Sequence, residues 1–171
     1  MNFFYFDASA IVKRYSSAEH GADLVNDLWM SLPADTLSRG CLEIGIGEVV
    51  SALVRQRNDG RLTNELFKQA LALFRQEIID ERTFLKVPIH SEHIQKSLIL
   101  IVQHNLNATD ALILQSALEL LRLFEGGDIR LVLVTADERL ARAATAHELV
   151  VFNPEVNTRS DLNALLSAST G

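Results

Sequence analysis

Only one of the 171 residues is a cysteine, Cys41, and only three are prolines. A single cysteine cannot form an intramolecular disulfide, so nothing indicates a disulfide-stabilised secreted domain. The apolar runs are too short or too interrupted to span a bilayer, and the first of them follows no positively charged segment of the kind that begins a signal peptide. We therefore expect a cytoplasmic protein that does not enter a membrane.

The sequence also contains no glycine-rich phosphate loop, so use of a nucleoside triphosphate has no support. Its formal net charge is −6. Broad, non-specific attraction to nucleic acid needs clustered lysine and arginine, and this charge argues against it. A nucleic-acid enzyme is still allowed, because carboxylates that bind metal ions add negative charge while the bound ions attract phosphate.

Short apolar strands alternate with helical patterns along the chain, and 48% of the residues are hydrophobic. No linker or low-complexity tract divides the sequence, so one domain is the simplest interpretation. The unbroken "LVLV" within 129–135 is typical of a strand covered on both faces. These patterns predict an α/β domain with a mostly parallel central sheet.

The sequence pattern predicts five strands and seven helices, with a further short helical pattern near the C-terminus. Strands are predicted at 3–6, 35–38, 83–89, 129–135 and 148–154, of which 35–38 has the weakest pattern. Helices are predicted at 8–15, 18–32, 42–57, 63–79, 91–104, 108–124 and 136–147, with a short helical pattern at 160–167. Pro88 places its strand at the edge of the sheet, because proline cannot donate to a central ladder.

Three aspartates are predicted where a strand or loop gives way to a helix. Asp7 follows the first strand, Asp137 follows the strand 129–135, and Asp110 opens the helix 108–124. Parallel sheets bind ligands outside the carboxyl ends of their strands, which is where Asp7 and Asp137 are expected. Each aspartate alone has a second interpretation, because aspartate is a favoured helix N-cap.

Glu48 has no capping explanation, because it lies in the middle of the predicted helix 42–57. Several neighbours at three- and four-residue spacing are small, namely Gly45, Ser51 and Ala52. Small neighbours leave room for a ligand or for another backbone. The alternative is a solvated glutamate beside a loosely packed patch.

Four carboxylates in one cleft raise each other's pKa unless a cation lies between them. Oxygen-only ligands suit Mg²⁺ or Mn²⁺, and such an ion supports phosphodiester hydrolysis by lowering the pKa of a bound water and stabilising the leaving oxygen. If Asp7, Glu48, Asp110 and Asp137 converge, the sequence predicts this chemistry. Their spacing makes convergence plausible and does not prove it.

The four acids lie in segments that resemble the PIN-domain family, and within it the ribonuclease toxins of VapBC-type toxin–antitoxin pairs. The segments are "YFDASAIVKRY", "GEVVSALVR", "TDALILQSAL" and "LVTADERLARAA", followed by "VVFNP". They run in the family's order from about residue 3 to 154. The resemblance implies a three-layer α/β/α domain over 1–154, after which 155–171 forms a polar C-terminal tail to which no role is assigned.

The resemblance also implies a catalytic metal site and an activity. The site comprises four acidic residues and two hydroxyl residues that orient the carboxylates or a metal-bound water: Asp7, Glu48, Asp110, Asp137, Ser9 and Thr135. The implied activity is Mg²⁺- or Mn²⁺-dependent endonucleolytic cleavage of RNA. Further implications are a homodimer and a small antitoxin protein whose C-terminal segment covers the site.

The sequence departs from the family pattern in two places. The glycine common before the third motif is absent, and Asn105 and Asn107 are the residues able to turn the chain there. Glu43 precedes Glu48 by five residues and competes with it for the helix position, although "EVVSAL" aligns with the family's segment after its glutamate.

Three cationic residues near the acids are candidates for positioning an RNA strand. Lys13 and Arg14 lie one to two helical turns after Asp7, and Arg55 lies about two turns after Glu48. The alternative for each of the three is a solvated surface side chain.

Other functions remain open at this stage. A nucleophilic aspartate after the first strand is typical of phosphoaspartyl chemistry, but that chemistry usually needs a second aspartate at position 9, where this chain has Ser9. A non-catalytic module that binds metal and a partner is the non-enzymatic alternative. A housekeeping RNA-processing nuclease without an antitoxin is the enzymatic one.

Overall fold

Aromatic residues alternate along the first strand, and this alternation defines the layers of the fold. In the computed structural model, which describes residues 1–167, Phe4 and Phe6 of β1 (Asn2–Phe6) pack into one apolar core. Phe3 and Tyr5 pack into a second core on the opposite face. Successive side chains of a strand point to opposite faces, so β1 is buried on both sides and needs helices on each.

Five parallel strands form the sheet, in the order β3-β2-β1-β4-β5. The other strands are β2 (Arg39–Leu42), β3 (Phe84–Val87), β4 (Arg130–Val134) and β5 (Val150–Phe152). The chain leaves β1 on one side to form β2 and β3, then returns to the other side for β4 and β5. The strand order therefore reverses between β1 and β4, and α/β sheets place their sites outside the carboxyl ends of strands at such a point.

Helices cover both faces of the sheet. Within residues 1–167 they are α1 (Ala8–Tyr15), α2 (Ala22–Ser31), α3 (Glu43–Asn58), α4 (Asn64–Phe74), α5 (Ser91–His104), α6 (Ala108–Phe124), α7 (Glu138–Ala146) and α8 (Arg159–Ser167). Helices α1 to α4 and α8 contribute to the core on one face, and α5 to α7 contribute to the core on the other. This arrangement confirms the predicted three-layer α/β/α fold.

Most predicted elements are confirmed close to their predicted bounds. The helix 8–15 agrees with α1, and the strand before Pro88 lies at the edge of the sheet, as β3. The strand 129–135 corresponds to β4, which pairs with β1 on one side and β5 on the other.

The predicted strand at 35–38 was wrong. The strand is β2, four residues further along, and Phe4 pairs with Arg39 while Phe6 pairs with Cys41. The sequence "RGCL" has weak strand propensity because it contains glycine, and long-range pairing overrides that propensity. Gly40 is required there, since a Cβ at this position would lie 2.6 Å from the carbonyl oxygen of Leu85.

Two predicted helices differ from the observed ones in their ends. Helix α2 begins at Ala22 rather than at 18, because Gly21 precedes it with φ of 77° and a Cβ there would collide with the Pro154 carbonyl. The predicted helix 63–79 is α-helical only to Phe74 and continues as a π-helical turn, Arg75–Ile79.

The segment after residue 154 packs on the domain, and α8 forms where the short helical pattern at 160–167 is predicted. Leu162 of α8 is buried in the same core as Phe4. The Asn2 side-chain amide donates a hydrogen bond to the Leu165 carbonyl at 2.6 Å. Residues 168–171 of the predicted tail lie outside the described residues.

Over residues 1–167, no single helix is both long and apolar enough to cross a membrane. Helices α5 and α6 reach that length and hydropathy only as a pair, and the two are bent by 113°.

Candidate active site

Four acidic side chains from distant parts of the sequence line one cleft at the carboxyl ends of β1 and β4. The cleft has a volume of about 220 Å³. Its lining comprises Asp7, Ala8, Ser9, Val12, Glu48, Ala52, Arg55, Asp110 and Asp137. The structure thus brings together all four carboxylates that the sequence singles out.

Asp7 is held rigidly where β1 ends. It is the N-cap of α1, and its Oδ2 accepts hydrogen bonds from the Ser9 amide at 3.3 Å and the Ser9 hydroxyl at 2.5 Å. The Thr135 hydroxyl donates to the same oxygen at 3.0 Å. Asp7 therefore both caps α1 and lines the cleft.

Ser9 and Thr135 connect the ends of β1 and β4. The Ala136 amide donates to the Ser9 hydroxyl at 2.9 Å, and the Asp137 amide donates to the Thr135 hydroxyl at 3.0 Å. Thr135 is fully buried. The two hydroxyls therefore link the carboxylate of Asp7 to the backbone that leads into α7.

Asp137 and Asp110 differ in how their helices hold them. Asp137 is the N-cap of α7, where its Oδ1 accepts from the amides of Arg139 and Leu140 at 2.8 and 2.9 Å. Asp110 is not a cap, because Asn107 caps α6 and also donates from its side-chain amide to Asp110 Oδ2 at 2.8 Å. Capping thus cannot account for the buried position of Asp110.

Glu48, rather than Glu43, is the glutamate of α3 that lines the cleft. Glu43 is exposed at the first turn of the helix. Glu48 is half-buried, and the nearby side chain of Thr109, which directly precedes Asp110, lowers the pKa of its carboxyl. Helix α3 and the start of α6 therefore come together across the end of the sheet.

Burial raises the pKa values of Asp7, Glu48 and Asp110, and neighbouring negative charges add to the effect at Glu48 and Asp110. Burial, followed by repulsion from Asp137, Asp7 and Glu48, raises the pKa of Asp110 to about 7. Burial and the charge of Asp7 raise the pKa of Glu48. Burial also raises the pKa of Asp7, although its hydrogen bonds from Ser9 and Thr135 oppose this effect. Such mutual repulsion is the condition that a cation in the cleft would relieve.

The donor chemistry of the cleft fits a hard divalent cation, because carboxylate and hydroxyl oxygens are the groups that Mg²⁺ and Mn²⁺ prefer. The side chains are not closed around one point, since no three His, Cys, Asp or Glu side chains of residues 1–167 are arranged to hold an ion together. A cation in the cleft would therefore contact some of the four carboxylates through water.

Only one of the three cations proposed to position RNA lies at the cleft. Arg55 is exposed and lines it. Lys13 is buried and forms an ion pair with Glu155 at 2.5 Å. Arg14 pairs with Glu77 at 2.6 Å. Neither Lys13 nor Arg14 lines the cleft, and each forms an ion pair within the fold.

Two residues near the acids were not singled out from the sequence. Thr109 lowers the pKa of Glu48, and Arg139 lowers the pKa of Asp110 by its positive charge. The adjacency of Thr109 to Asp110 was visible, but its contact with Glu48 depends on how α3 and α6 pack. Arg139 lies two residues after Asp137, which is the signal that could have identified it.

We expect Asp110→Asn to stabilise the metal-free protein at pH 8. Because the folded-state pKa of Asp110 is raised to about 7, the contribution of this carboxyl to stability is greatest below about pH 4, where it is protonated in both the folded and the unfolded state, and is lost as the pH rises from about 4 through 7. The amide removes the buried charge and still accepts from Asn107. The expected gain is ~2 kcal/mol at pH 8 and shrinks toward pH 4, as measured by urea unfolding in EDTA.

The matched control for this substitution is Glu43→Gln, which neutralises an exposed acid of the same region outside the cleft. We expect the control to leave the free energy of unfolding nearly unchanged at both pH values. Equal stability of Asp110→Asn and the wild type at pH 8 would contradict the repulsion between the four acids.

Comparison with known proteins identifies the fold. No protein-family model and no curated protein matches the chain. Among solved structures, the chain is similar to the crystal structure of PAE2754 from Pyrobaculum aerophilum, with a TM-score of 0.58 and 20% sequence identity. The match covers 98% of this chain and 99% of that chain. At this identity, the similarity supports the α/β/α architecture and carries no information about activity.

Proposed function

We propose that this protein is a Mg²⁺- or Mn²⁺-dependent endoribonuclease of the PIN-domain type. The observation that carries the proposal is the convergence of Asp7, Glu48, Asp110 and Asp137 on one cleft at the point where the strand order reverses. Helix capping accounts for two of these residues and leaves Glu48 and Asp110 unexplained. A site for a divalent cation accounts for all four.

In this proposal the four carboxylates hold the metal, directly or through water. When bound, a divalent cation would lower the pKa of a coordinated water and stabilise the leaving oxygen of the phosphodiester. Ser9 and Thr135 fix the carboxylate of Asp7 through Oδ2, and Asn107 fixes that of Asp110. Positions set by such hydrogen bonds keep the donors oriented between turnovers.

The same proposal assigns substrate contact to the cations at the cleft. Arg55 is exposed at its rim, and Arg139 is exposed at the start of α7 near Asp110. A guanidinium matches the geometry of a phosphate with two parallel hydrogen bonds. We propose that these two arginines contact phosphates next to the scissile bond of RNA.

The experiment that tests the proposal is cleavage of structured and unstructured RNA by the purified protein with Mg²⁺, with Mn²⁺ and with EDTA. We expect cleavage with either ion and none with EDTA. Activity that survives EDTA would refute the metal mechanism. Metal binding without cleavage of any RNA would instead favour the non-catalytic module.

The proposal extends to the biological role, which is that of the toxin in a VapBC-type pair with a small antitoxin. This part rests on the sequence resemblance alone. If a short basic reading frame lies directly upstream of the gene, we expect its product to co-purify with this protein and to suppress RNA cleavage. Cleavage that no neighbouring gene product suppresses would favour a housekeeping RNA-processing nuclease.

A homodimer is the remaining part of the proposal, and helix α5 offers a surface for it. Four apolar side chains of α5 are exposed: Ile94, Leu98, Ile99 and Val102, the last by 83%. Three of them are spaced by four residues and share one helix face. Contiguous exposed apolar area of this kind is typical of a protein interface, and we propose that a second copy of the chain covers it.

We expect Val102→Glu to convert the dimer to a monomer, because the interface would have to bury an unpaired carboxylate. Sedimentation velocity at micromolar concentration measures the change. Gln69→Glu adds the same charge to an exposed position of α4 in the other helical layer and should leave the dimer intact. A wild type that sediments as a monomer would exclude this interface.

A further inference from the structure

Two histidines lie tip to tip on the side of the molecule formed by α5 and α7. The Nε2 atoms of His104 and His147 are 3.0 Å apart, and their rings cross at 68° with centroids 5.1 Å apart. The two residues are 43 positions apart in the sequence. Both are partly exposed, and neither lines the acidic cleft.

The backbone fixes both histidines at helix ends. His104 is the last residue of α5, and Asn105 then ends that helix with φ of 51°. His147 is the C-cap of α7, and Glu148 follows it with φ of 62°. Hydrogen bonds from Glu148 to Thr145 and from Leu149 to Ala144 close the end of α7, as in a Schellman motif. The backbone positions of both histidines are therefore fixed by the ends of their helices.

We propose that His104 and His147 form a two-histidine site for a borderline divalent cation, Cu²⁺, Ni²⁺ or Zn²⁺, outside the acidic cleft. Imidazole nitrogen suits these ions, whereas the oxygen donors of the cleft suit harder ones. Metal–nitrogen bonds are about 2.0–2.1 Å, so nitrogens 3.0 Å apart subtend roughly 90° at a shared ion once both rings turn from their end-on contact and direct the Nε2 lone pairs at it. This is the angle between neighbouring ligands in the square-planar geometry of Cu²⁺ and Ni²⁺.

A metal-bound imidazole must be neutral, so binding requires an unprotonated Nε2 on each of the two rings. No further His, Cys, Asp or Glu within residues 1–167 completes a three-ligand group. Water therefore fills the remaining coordination positions, and the site binds more weakly than a closed structural zinc site.

An ion in this site joins α5 to α7 across 43 residues of sequence. A ligand that binds only the folded state raises the free energy of unfolding in proportion to the logarithm of its concentration. We therefore expect the melting temperature to rise with the concentration of Ni²⁺ or Cu²⁺. This inference does not depend on the proposed nuclease activity.

The test measures the Ni²⁺-dependent shift in melting temperature in saturating Mg²⁺, which occupies the acidic cleft if that cleft binds metal. We expect the shift in the wild type and its loss in His104→Asn and His147→Asn. His20→Asn is the matched control, because His20 is an exposed histidine away from the pair, and it should retain the full shift.

Electron paramagnetic resonance of the Cu²⁺-loaded wild type provides a readout that needs no variant to fold. We expect hyperfine coupling from two imidazole nitrogens. A spectrum with oxygen ligands alone, or an unchanged Ni²⁺ shift in His104→Asn, would overturn the proposal. The 3.0 Å contact would then be an N–H···N hydrogen bond between the two rings and nothing more.

Discussion

Asp7→Asn is expected to reduce metal-dependent RNA cleavage by ~100-fold or more, since loss of even an outer-shell partner of a metal ligand costs up to about 100-fold. Asp7 is buried in the cleft wall and aligned by three hydrogen-bond donors. The amide keeps nearly the same shape but lacks the negative charge that attracts a divalent cation. Cleavage rates with Mg²⁺ and Mn²⁺ at saturating RNA measure the change.

The fold should survive this substitution. Asparagine caps helices as well as aspartate does, and its carbonyl oxygen still accepts from Ser9 and Thr135. Removal of a buried charge with a raised pKa also removes a desolvation penalty. We therefore expect an unchanged circular dichroism spectrum and a melting temperature equal to or above that of the wild type.

Glu43→Gln is the matched control for the activity measurement as well. It neutralises the competing glutamate of α3, which is exposed and does not line the cleft. We expect this variant to cleave RNA at the wild-type rate. Undiminished cleavage by Asp7→Asn, or a comparable loss in Glu43→Gln, would show that the acids of the cleft do not carry the chemistry.

Glu155→Ala is expected to lower the free energy of unfolding by ~2 kcal/mol, because it leaves the ammonium of Lys13 buried without its partner. The Lys13 side chain is 2% exposed and its Nζ lies 2.5 Å from Glu155 Oε1. The Glu155 side chain is 39% exposed, so water reaches the pair and the loss is smaller than for a fully buried one. Urea unfolding near neutral pH measures the difference.

Lys13 is buried and Glu155 is partly exposed, so removing one or the other should lower the free energy of unfolding by different amounts. Lys13→Met should cost less than Glu155→Ala, since the carboxylate it leaves behind is partly solvated. The double variant, Lys13→Met with Glu155→Ala, should recover much of the stability lost in Glu155→Ala alone, because no buried ammonium is then left without a partner. Glu138→Ala, which breaks the exposed pair with Arg142, should have almost no effect. A loss of stability in Glu155→Ala no larger than in Glu138→Ala would contradict this description of Lys13.

The sequence predicts those parts of the site that depend on local pattern. Asp7 and Asp137 follow apolar strands, and the parallel-sheet rule places both at the same edge. Glu48 and Asp110 stand out within their own helices, but no local pattern connects them to each other or to Asp7. Their meeting requires α3 and α6 to pack on opposite faces of the sheet, and the contact between Glu48 and Thr109 follows from that packing alone.

Errors arose where distant contacts decide the outcome. The two interpretations of Lys13 from the sequence were a contact with RNA and a solvated surface side chain. The structure buries Lys13 against Glu155, which is 142 residues away and invisible to helical periodicity. Strand β2 has little local strand signal and forms because it pairs with β1 and β3. The segment after residue 154 has a polar composition, yet one buried leucine, Leu162, anchors α8 to the core.

Binding of Mn²⁺ to the wild type tests whether the four carboxylates act as one site. The signal of free Mn²⁺ in electron paramagnetic resonance measures this binding, and added Mg²⁺ competes for the same site. We expect saturable binding that Mg²⁺ displaces. It should weaken when any one of Asp7, Glu48, Asp110 and Asp137 is replaced by its amide, and it should be unaffected by Glu43→Gln. No saturable binding to the wild type, or binding that the four substitutions leave unchanged, would contradict the proposed metal site.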